Sequence, residues 1–140
     1  MKTKLLHDEA GQQTYALVFD TGDEVVEGLE RFARERRLDA AQLSGIGAFS
    51  DATLGYFDWQ TKEYTPLSVD EQVEVVSLLG DVALKDGEAA VHAHVVVARA
   101  DGSALGGHLL GGHVRPTLEV IVTESPAHCG SDSTRRPASR

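Results

Sequence analysis

The segment VHAHVVVARADGSALGGHLL, residues 91–110, decides the fold because it holds two apolar runs separated by a short polar turn. Apolar runs of this length, bounded by turn residues, predict β-strands, here Val91–Ala98 and Ala104–Leu110. The Asp-Gly pair at residues 101–102 marks the turn between them. We therefore expect an antiparallel hairpin at this point of the chain.

The length of the loop decides which side chains meet across this hairpin. A two-residue loop at residues 101–102 would place Val95 opposite His108 and send that histidine to the other face. A three-residue loop, residues 100–102, would place His94 opposite His108. The longer loop suits a type I turn followed by a glycine in the left-handed conformation.

Three histidines on these strands are candidate metal ligands. His92 and His94 lie two residues apart, so on a strand they share one face of the sheet. With the longer loop, His108 joins them, and directly opposed β-carbons lie about 4.5–5.5 Å apart. Three imidazoles without a thiolate favour zinc, although other divalent metals also accept imidazole. The alternative is a solvated sheet face that carries polar residues and no metal.

The hairpin before this one has the same type of turn sequence. A three-residue loop at residues 85–87 would place Gly80 opposite His92 and leave space beside that imidazole. Three protein ligands would also leave the fourth position of a zinc ion open, as in catalytic zinc sites.

The other candidate residues carry weaker signals. His113 and Glu119 are candidates for extra ligands or proton carriers. His7 and His128 lie near the ends of the chain and are interpreted as incidental. Cys129 has no activating partner nearby in the sequence, which argues against a nucleophile there.

One amphipathic helix is predicted over residues 22–37. Thr21 precedes Glu24 by three residues, which is the spacing of a capping box. Acidic residues come early in this segment and arginines come late, as the helix dipole favours. Apolar residues recur at helical spacing, at Val25, Val26, Leu29, Phe32 and Ala33.

The rest of the chain predicts strands, with Ser50-Asp51 as the turn between two of them. The predicted strands are Tyr15–Phe19, Leu43–Phe49, Ala52–Phe57, Val73–Leu84, Val91–Ala98, Ala104–Leu110 and Thr117–Thr123. One helix with many strands joined by short turns indicates an α+β fold built on a large antiparallel, or mixed, sheet. Glycines at positions 45, 47 and 55 indicate bulges or close backbone approach.

Composition limits the class of protein. The chain has 140 residues, one cysteine, and 13 Lys+Arg against 22 Asp+Glu, for a net charge of −9. This length predicts one domain, and a single cysteine excludes a disulfide framework. The acidic balance argues against a surface that wraps nucleic acid unaided. The opening MKTKLLHDEAGQQ lacks the apolar core of a signal peptide and no run approaches a membrane span, so a soluble cytoplasmic protein is expected.

The two parts of the chain differ in composition. We expect residues 1–127 to fold as the domain and residues 128–140 to form a disordered tail, because the tail has no large apolar residue and contains three arginines. The folded part is therefore more acidic than the whole chain.

The ordered combination SGIGAFSDATLGYFD, then HAH, then GGHL resembles the plant and prokaryote conserved (PPC) domain. This domain also occurs in the AT-hook nuclear-localised proteins of plants. The likeness runs from about Tyr15 to Glu124. It implies a large antiparallel sheet, assembly into trimers, and a metal site at His92, His94 and His108. The broader fold is similar to that of acetolactate decarboxylase, which uses a three-histidine zinc centre.

Two functions follow from these observations. The resemblance implies a regulatory, DNA-associated oligomeric module that binds a divalent metal. The alternative is a small metal-dependent enzyme, a lyase or hydrolase, with an oxygen-rich metabolite bound at the metal. The chain lacks the Arg-Gly-Arg-Pro core of an AT-hook, and its folded part is acidic. Direct DNA binding is therefore not expected.

Overall fold

The computed structural model describes residues 1–125 and is dominated by a seven-stranded sheet in the order β1-β2-β7-β6-β5-β3-β4. The strand pairs are all antiparallel. With the one helix of the described residues, they confirm the predicted α+β class. The elements are β1 Lys2–Glu9, β2 Gln12–Asp20, α1 Val25–Glu35, β3 Ala40–Asp58, β4 Glu63–Val69, β5 Val73–Lys85, β6 Glu88–Ala98 and β7 Ala104–Glu124.

A second pairing, between β3 and β7, makes the sheet return on itself. β3 pairs with β5, β5 with β6, β6 with β7, and β7 again with β3, which completes a closed circuit of hydrogen-bonded strands. Because side chains alternate between the two faces of a strand, one face of this circuit points inward. The inward face is apolar and forms the core together with α1, around residues such as Phe19, Phe49, Leu78 and Val97.

The predicted helix is confirmed as Val25–Glu35, shorter by a few residues at each end. Its first-turn cap differs from the prediction, because the Glu24 carboxylate accepts the backbone N–H of Glu27 at 2.6 Å. The Thr21 hydroxyl instead donates to the carbonyl of Pro116. Glu24 also accepts from the backbone of β7, so the cap attaches the helix to the sheet.

Two breaks predicted between strands are absent from the described residues. The chain runs through Ser50 and Asp51 as part of the single long strand β3, and the strands predicted at 104–110 and 117–123 belong to the single strand β7. Register shifts between β3 and β7 occur near Phe49 and Asp51. Such bulges bend a strand without ending it, so polar residues and glycines inside a long curved strand resemble turns in the sequence.

The edge strands β1 and β4 were not predicted. All residues of β1 are exposed, and β4 is exposed except for Val69. A strand without a buried face has no apolar alternation by which the sequence could reveal it. β4 also contains Pro66, which an edge strand tolerates because one side of its backbone has no partner.

Two further expectations concern the ends of the chain and the membrane. The predicted tail, residues 128–140, lies outside the described residues, as do His128 and Cys129. Within residues 1–125, no helix is long and apolar enough to cross a membrane.

The close approach of β3 to β7 predicts the effect of a single added methyl group. A β-carbon at Gly47 would lie 2.6 Å from the Cα of Leu118 and would also collide with the carbonyl oxygen of Thr117. Both contacts are with backbone, which cannot move aside without shifting a strand. We expect Gly47→Ala to lower the free energy of unfolding by about 1–3 kcal/mol, measured by denaturant titration.

The control for this substitution is Gly111→Ala. A β-carbon there would meet the described structure only at the end of the Glu24 side chain, at 3.3 Å. A loss no larger for Gly47→Ala than for this control would contradict the role assigned to the close approach.

Candidate metal centre

The hairpin of β6 and β7 has the three-residue loop, residues 100–102. The backbone N–H of Arg99 donates to the carbonyl of Ser103 at 2.9 Å and closes the hairpin. Gly102 has a φ of 83°, the left-handed conformation that this loop requires. His94 therefore lies directly opposite His108, and the predicted register is confirmed.

The preceding hairpin differs from its prediction by one residue. Its loop is the two-residue turn Asp86-Gly87, in which both residues have positive φ, 52° and 81°. An Asp-Gly pair favours this turn because both central positions must be left-handed. The register consequently places Asp81, and not Gly80, opposite His92. The position opposite His92 therefore bears the carboxylate of Asp81, where the sequence had predicted a glycine and open space.

His92, His94 and His108 lie together on the outward face of the sheet. Each offers one ring nitrogen, and these three nitrogens lie within 4.8 Å of one another. The ring centroids are 5.0, 5.2 and 5.7 Å apart. Since zinc–imidazole bonds measure about 2.0–2.1 Å, small side-chain rotations would bring the three nitrogens onto one ion. The histidines predicted from spacing thus form a single cluster, the histidine triad.

The three histidines differ in their surroundings. His92 and His94 are exposed, whereas His108 is partly buried. Burial, together with the nearby rings of His92 and His94, lowers the pKa of His108 below its usual value. The lowered pKa favours the neutral form of His108, which is the form that binds metal.

One atom of His108 needs a partner. Its Nδ1 is buried and has no hydrogen-bond partner among residues 1–125. Nearly all buried polar atoms in folded proteins are paired, and an exception calls for an explanation such as an ion or water. A metal ion held by the triad fits that requirement, as does the chemistry of an all-imidazole donor set.

Aromatic and apolar side chains border the triad. The ring of Tyr64, on β4, stacks on His108 with a centroid distance of 4.4 Å. On the other side, the row of directly opposed residues that contains His94 continues through Leu79, Ser44 and Ile121. The triad therefore lies on an outward face of mixed polarity, open toward solvent at His92 and His94.

The other predicted site residues lie apart from the triad. His113 pairs with Asp51, at 2.9 Å between its Nδ1 and a carboxylate oxygen. Glu119 lines a separate hollow of about 460 Å³ together with Ile46. His7 is exposed and lies near Glu9. The group of potential ligands found among residues 1–125 contains none of these.

Two residues beside the triad were missed by sequence reasoning. Asp81 was missed because the β5–β6 loop is one residue shorter than predicted, which shifts the pairing of β5 with β6 by one residue. Tyr64 was missed because its strand has no apolar alternation. The only signal for Tyr64 was its aromatic character within the segment that follows the β3 motif.

Comparisons with known proteins agree with this fold. A family model described as the Plants and Prokaryotes Conserved (PCC) domain matches residues 7–126. A plant- and prokaryote-conserved (PPC) protein from Pyrococcus horikoshii has a similar structure, with a TM-score of 0.77, 32% sequence identity, and coverage of 88% of this chain and 81% of that chain. A metal-containing protein from Archaeoglobus fulgidus has a TM-score of 0.76 and 33% identity, with coverage of 89% and 84%.

A third solved structure, from Ralstonia eutropha JMP134, is that of a protein called a "putative DNA-binding protein". It has a TM-score of 0.77 and 35% identity, with coverage of 88% of this chain and 83% of that chain. The resemblance drawn from the sequence motifs is confirmed by these matches.

Two further similarities are narrower. The chain is 37% identical over 115 residues to the bifunctional protein GlmU of Synechococcus sp. strain JA-3-3Ab, but it spans only 17% of that protein's length. Alpha-acetolactate decarboxylase from Bacillus subtilis strain 168 has a TM-score of 0.57 at 15% identity, covering 79% of this chain and 52% of that chain. At this identity the likeness is one of fold alone.

The His113–Asp51 pair gives a prediction about titration. The hydrogen bond to Asp51, and then its charge, raise the pKa of His113, while the bond from His113 lowers the pKa of Asp51. The pair therefore favours the folded state while His113 is protonated and Asp51 ionised. This contribution is lost as the pH rises through the raised pKa of His113.

We expect Asp51→Asn to lower the pKa of His113 toward about 6.5, the value of an isolated histidine. Titration of the His113 ring protons by NMR measures the change. Asp58→Asn is the control, since that carboxylate accepts from the backbone of Gln60 and Thr61 in the turn between β3 and β4. An unchanged titration midpoint in Asp51→Asn would show that the pair does not set this pKa.

Proposed function

The chain belongs to the Plants and Prokaryotes Conserved domain family, and from this premise we propose that it is an oligomeric regulatory module that binds a divalent metal ion. The proposed ligands are His92, His94 and His108, and the proposed metal is zinc. The observation that carries the proposal is the approach of three ring nitrogens to within 4.8 Å on one sheet face.

The surroundings of the triad support a metal role over a merely polar surface. A solvated histidine would satisfy both ring nitrogens with water, yet Nδ1 of His108 is buried without a partner among the described residues. The metal-containing relative from Archaeoglobus fulgidus supports the same reading. Zinc is proposed because an imidazole-only set without thiolates suits it well.

An enzymatic role is the second candidate, and one observation favours it. His92 and His94 are exposed, so the open side of the triad faces solvent. A metal bound there would polarise an oxygen atom of a small molecule or acidify a water. Turnover of an oxygen-rich metabolite that stops on addition of a chelator would establish this role and displace a purely regulatory one.

Direct DNA binding is not part of the proposal. The net charge of −9 opposes approach to phosphate. At the C-terminal end of α1, the guanidinium of Arg36 lies over the rings of Tyr15 and Phe32, at 5.3 and 5.8 Å. The partial match to GlmU supports a module that also occurs as a small part of a larger enzyme. We therefore propose a regulatory role exerted through protein or small-molecule contacts.

Assembly into a trimer completes the proposal. Large apolar side chains are exposed on the outward face of β3 and β5, where Ile46, Val76 and Leu79 have 61%, 55% and 60% of their surface accessible. These residues form what we call the outer apolar patch. Contiguous exposed apolar surface marks contact sites in proteins, and a second copy of this chain is its proposed occupant.

Metal content tests the proposed ligands. We expect the purified chain to carry stoichiometric zinc and the double variant His92→Ala/His94→Ala to fall to background, because a single remaining imidazole cannot hold the ion. Elemental analysis of the as-purified proteins measures this.

The matched control is His7→Ala, which removes an exposed histidine outside the triad. Its metal content should equal that of the unmodified chain. Equal metal in the double variant and the unmodified chain would contradict the assignment.

Light scattering tests the assembly. The unmodified chain should have three times the chain mass of 15.0 kDa. Leu79→Glu should release monomers, because each copy would bury an unpaired charge in the interface. Leu6→Glu, on the exposed edge strand β1, should leave the mass unchanged. A monomeric unmodified chain would contradict the trimer.

A further inference from the structure

We infer that Tyr64 is a positioning residue for the metal centre: its ring holds the imidazole of His108 in the orientation that binds metal. The inference rests on the proposed metal site. It concerns a residue of the edge strand β4, which contributes no ligand to the triad.

Ring stacking is the first observation. The rings of Tyr64 and His108 are nearly parallel, 30° apart, with centroids at 4.4 Å. His108 makes a second near-parallel contact with His92, at 5.2 Å and 28°. Tyr64 thus contacts the one triad member that is partly buried, and His108 contacts a second ligand in turn.

The lack of other restraints on His108 is the second observation. A metal-binding histidine usually fixes its ring by donating the remaining N–H to a carboxylate, a carbonyl or water. Within residues 1–125, no protein group makes a hydrogen bond to the His108 ring, whichever of its nitrogens binds the ion. Ring contacts must therefore do the orienting that a hydrogen bond does elsewhere.

Gly55 is the third observation, because it makes room for the tyrosine. In the sheet Gly55 lies directly opposite His108. A β-carbon on Gly55 would lie 2.9 Å from Cδ1 of Tyr64 and 3.1 Å from Cδ1 of Leu110. The Tyr64 ring therefore lies across a position without a side chain, an arrangement by which an aromatic residue covers a strand glycine.

Phe57 contacts the Tyr64 ring and restrains it. Phe57 comes two residues after Gly55 on β3 and lies directly opposite Tyr64 on β4. The two rings meet edge to face, with centroids at 5.4 Å and an angle of 62°. This geometry is favourable for aromatic pairs and restricts the rotation of Tyr64. Gly55 and Phe57 together thus direct the Tyr64 ring onto His108.

Metal affinity tests the inference with zinc and cobalt(II) as probes. Loss of a group that orients a ligand weakens metal binding by about 10–100-fold, and we expect this for Tyr64→Ala. Tyr64→Phe should restore the affinity of the unmodified chain, since the stack uses the ring and not the hydroxyl. Competition against a chromophoric chelator measures both. The visible spectrum of bound cobalt(II) should change in Tyr64→Ala and be restored in Tyr64→Phe.

Trp59→Ala is the matched control. Trp59 is an exposed aromatic residue in the turn between β3 and β4, and its ring contacts Lys62. Its removal should leave the affinity and the spectrum unchanged. Gly55→Ala provides an independent variant that displaces the Tyr64 ring without deleting it, and it should weaken binding in the same direction.

The outcomes separate the two proposals. Absence of metal binding by the unmodified chain would overturn the proposed function and this inference with it. Binding by the unmodified chain that is equal in Tyr64→Ala would overturn the inference alone. Circular dichroism checks that Tyr64→Ala folds. If it does not, Tyr64→Leu replaces it, and unmodified affinity and spectrum in that variant would overturn the inference.

Discussion

The pairing of β3 with β7 is the constraint on which the rest of the structure depends. Through this pairing the sheet closes on itself. Closure separates an almost wholly apolar inward face from an outward face that can bear polar and ionisable side chains. The approach is close enough that a side chain at Gly47 would collide with the β7 backbone. The same contact curves both strands by bulges, so each runs much further than a flat strand of a small domain.

The location of the triad follows from this closure. On β6, Ala93 and Val95 face inward and belong to the core. Because side chains alternate along a strand, His92 and His94 must face outward. Residues that face outward can be substituted without disturbing the core. The rigidity of the closed sheet still fixes the distances between them, which is what a metal site requires of its scaffold.

Much of this arrangement was predictable from the sequence, and the failures have physical causes. The β6–β7 hairpin and its loop were predictable because apolar runs and an Asp-Gly turn are local signals, and α1 because its apolar spacing is helical. The predicted β5–β6 loop was wrong by one residue, because an Asp-Gly pair occurs in both two-residue and three-residue hairpin loops. For this reason the prediction placed Gly80 opposite His92, where the structure has Asp81.

The other wrong or missing predictions concern strand pairings between residues far apart in the sequence. The predicted turn at Ser50 and Asp51 lies inside β3, because the partner of those polar residues, His113, is 62 residues away from Asp51. β1 and β4 are edge strands with little buried surface, so they left no periodic pattern in the sequence. Tyr64 gains its neighbours only when β4 pairs with β3 and β3 with β7.

The edge position of β4 has a consequence for energetics. A strand paired on one side and largely exposed is among the first elements of a fold to open. If its tyrosine orders a ligand of the triad, every opening of β4 also disorders that ligand, and an ion bound at the triad must oppose the opening by mass action. Slow amide hydrogen exchange along β4 would then report the concentration of free metal, although β4 contributes no residue to the histidine triad.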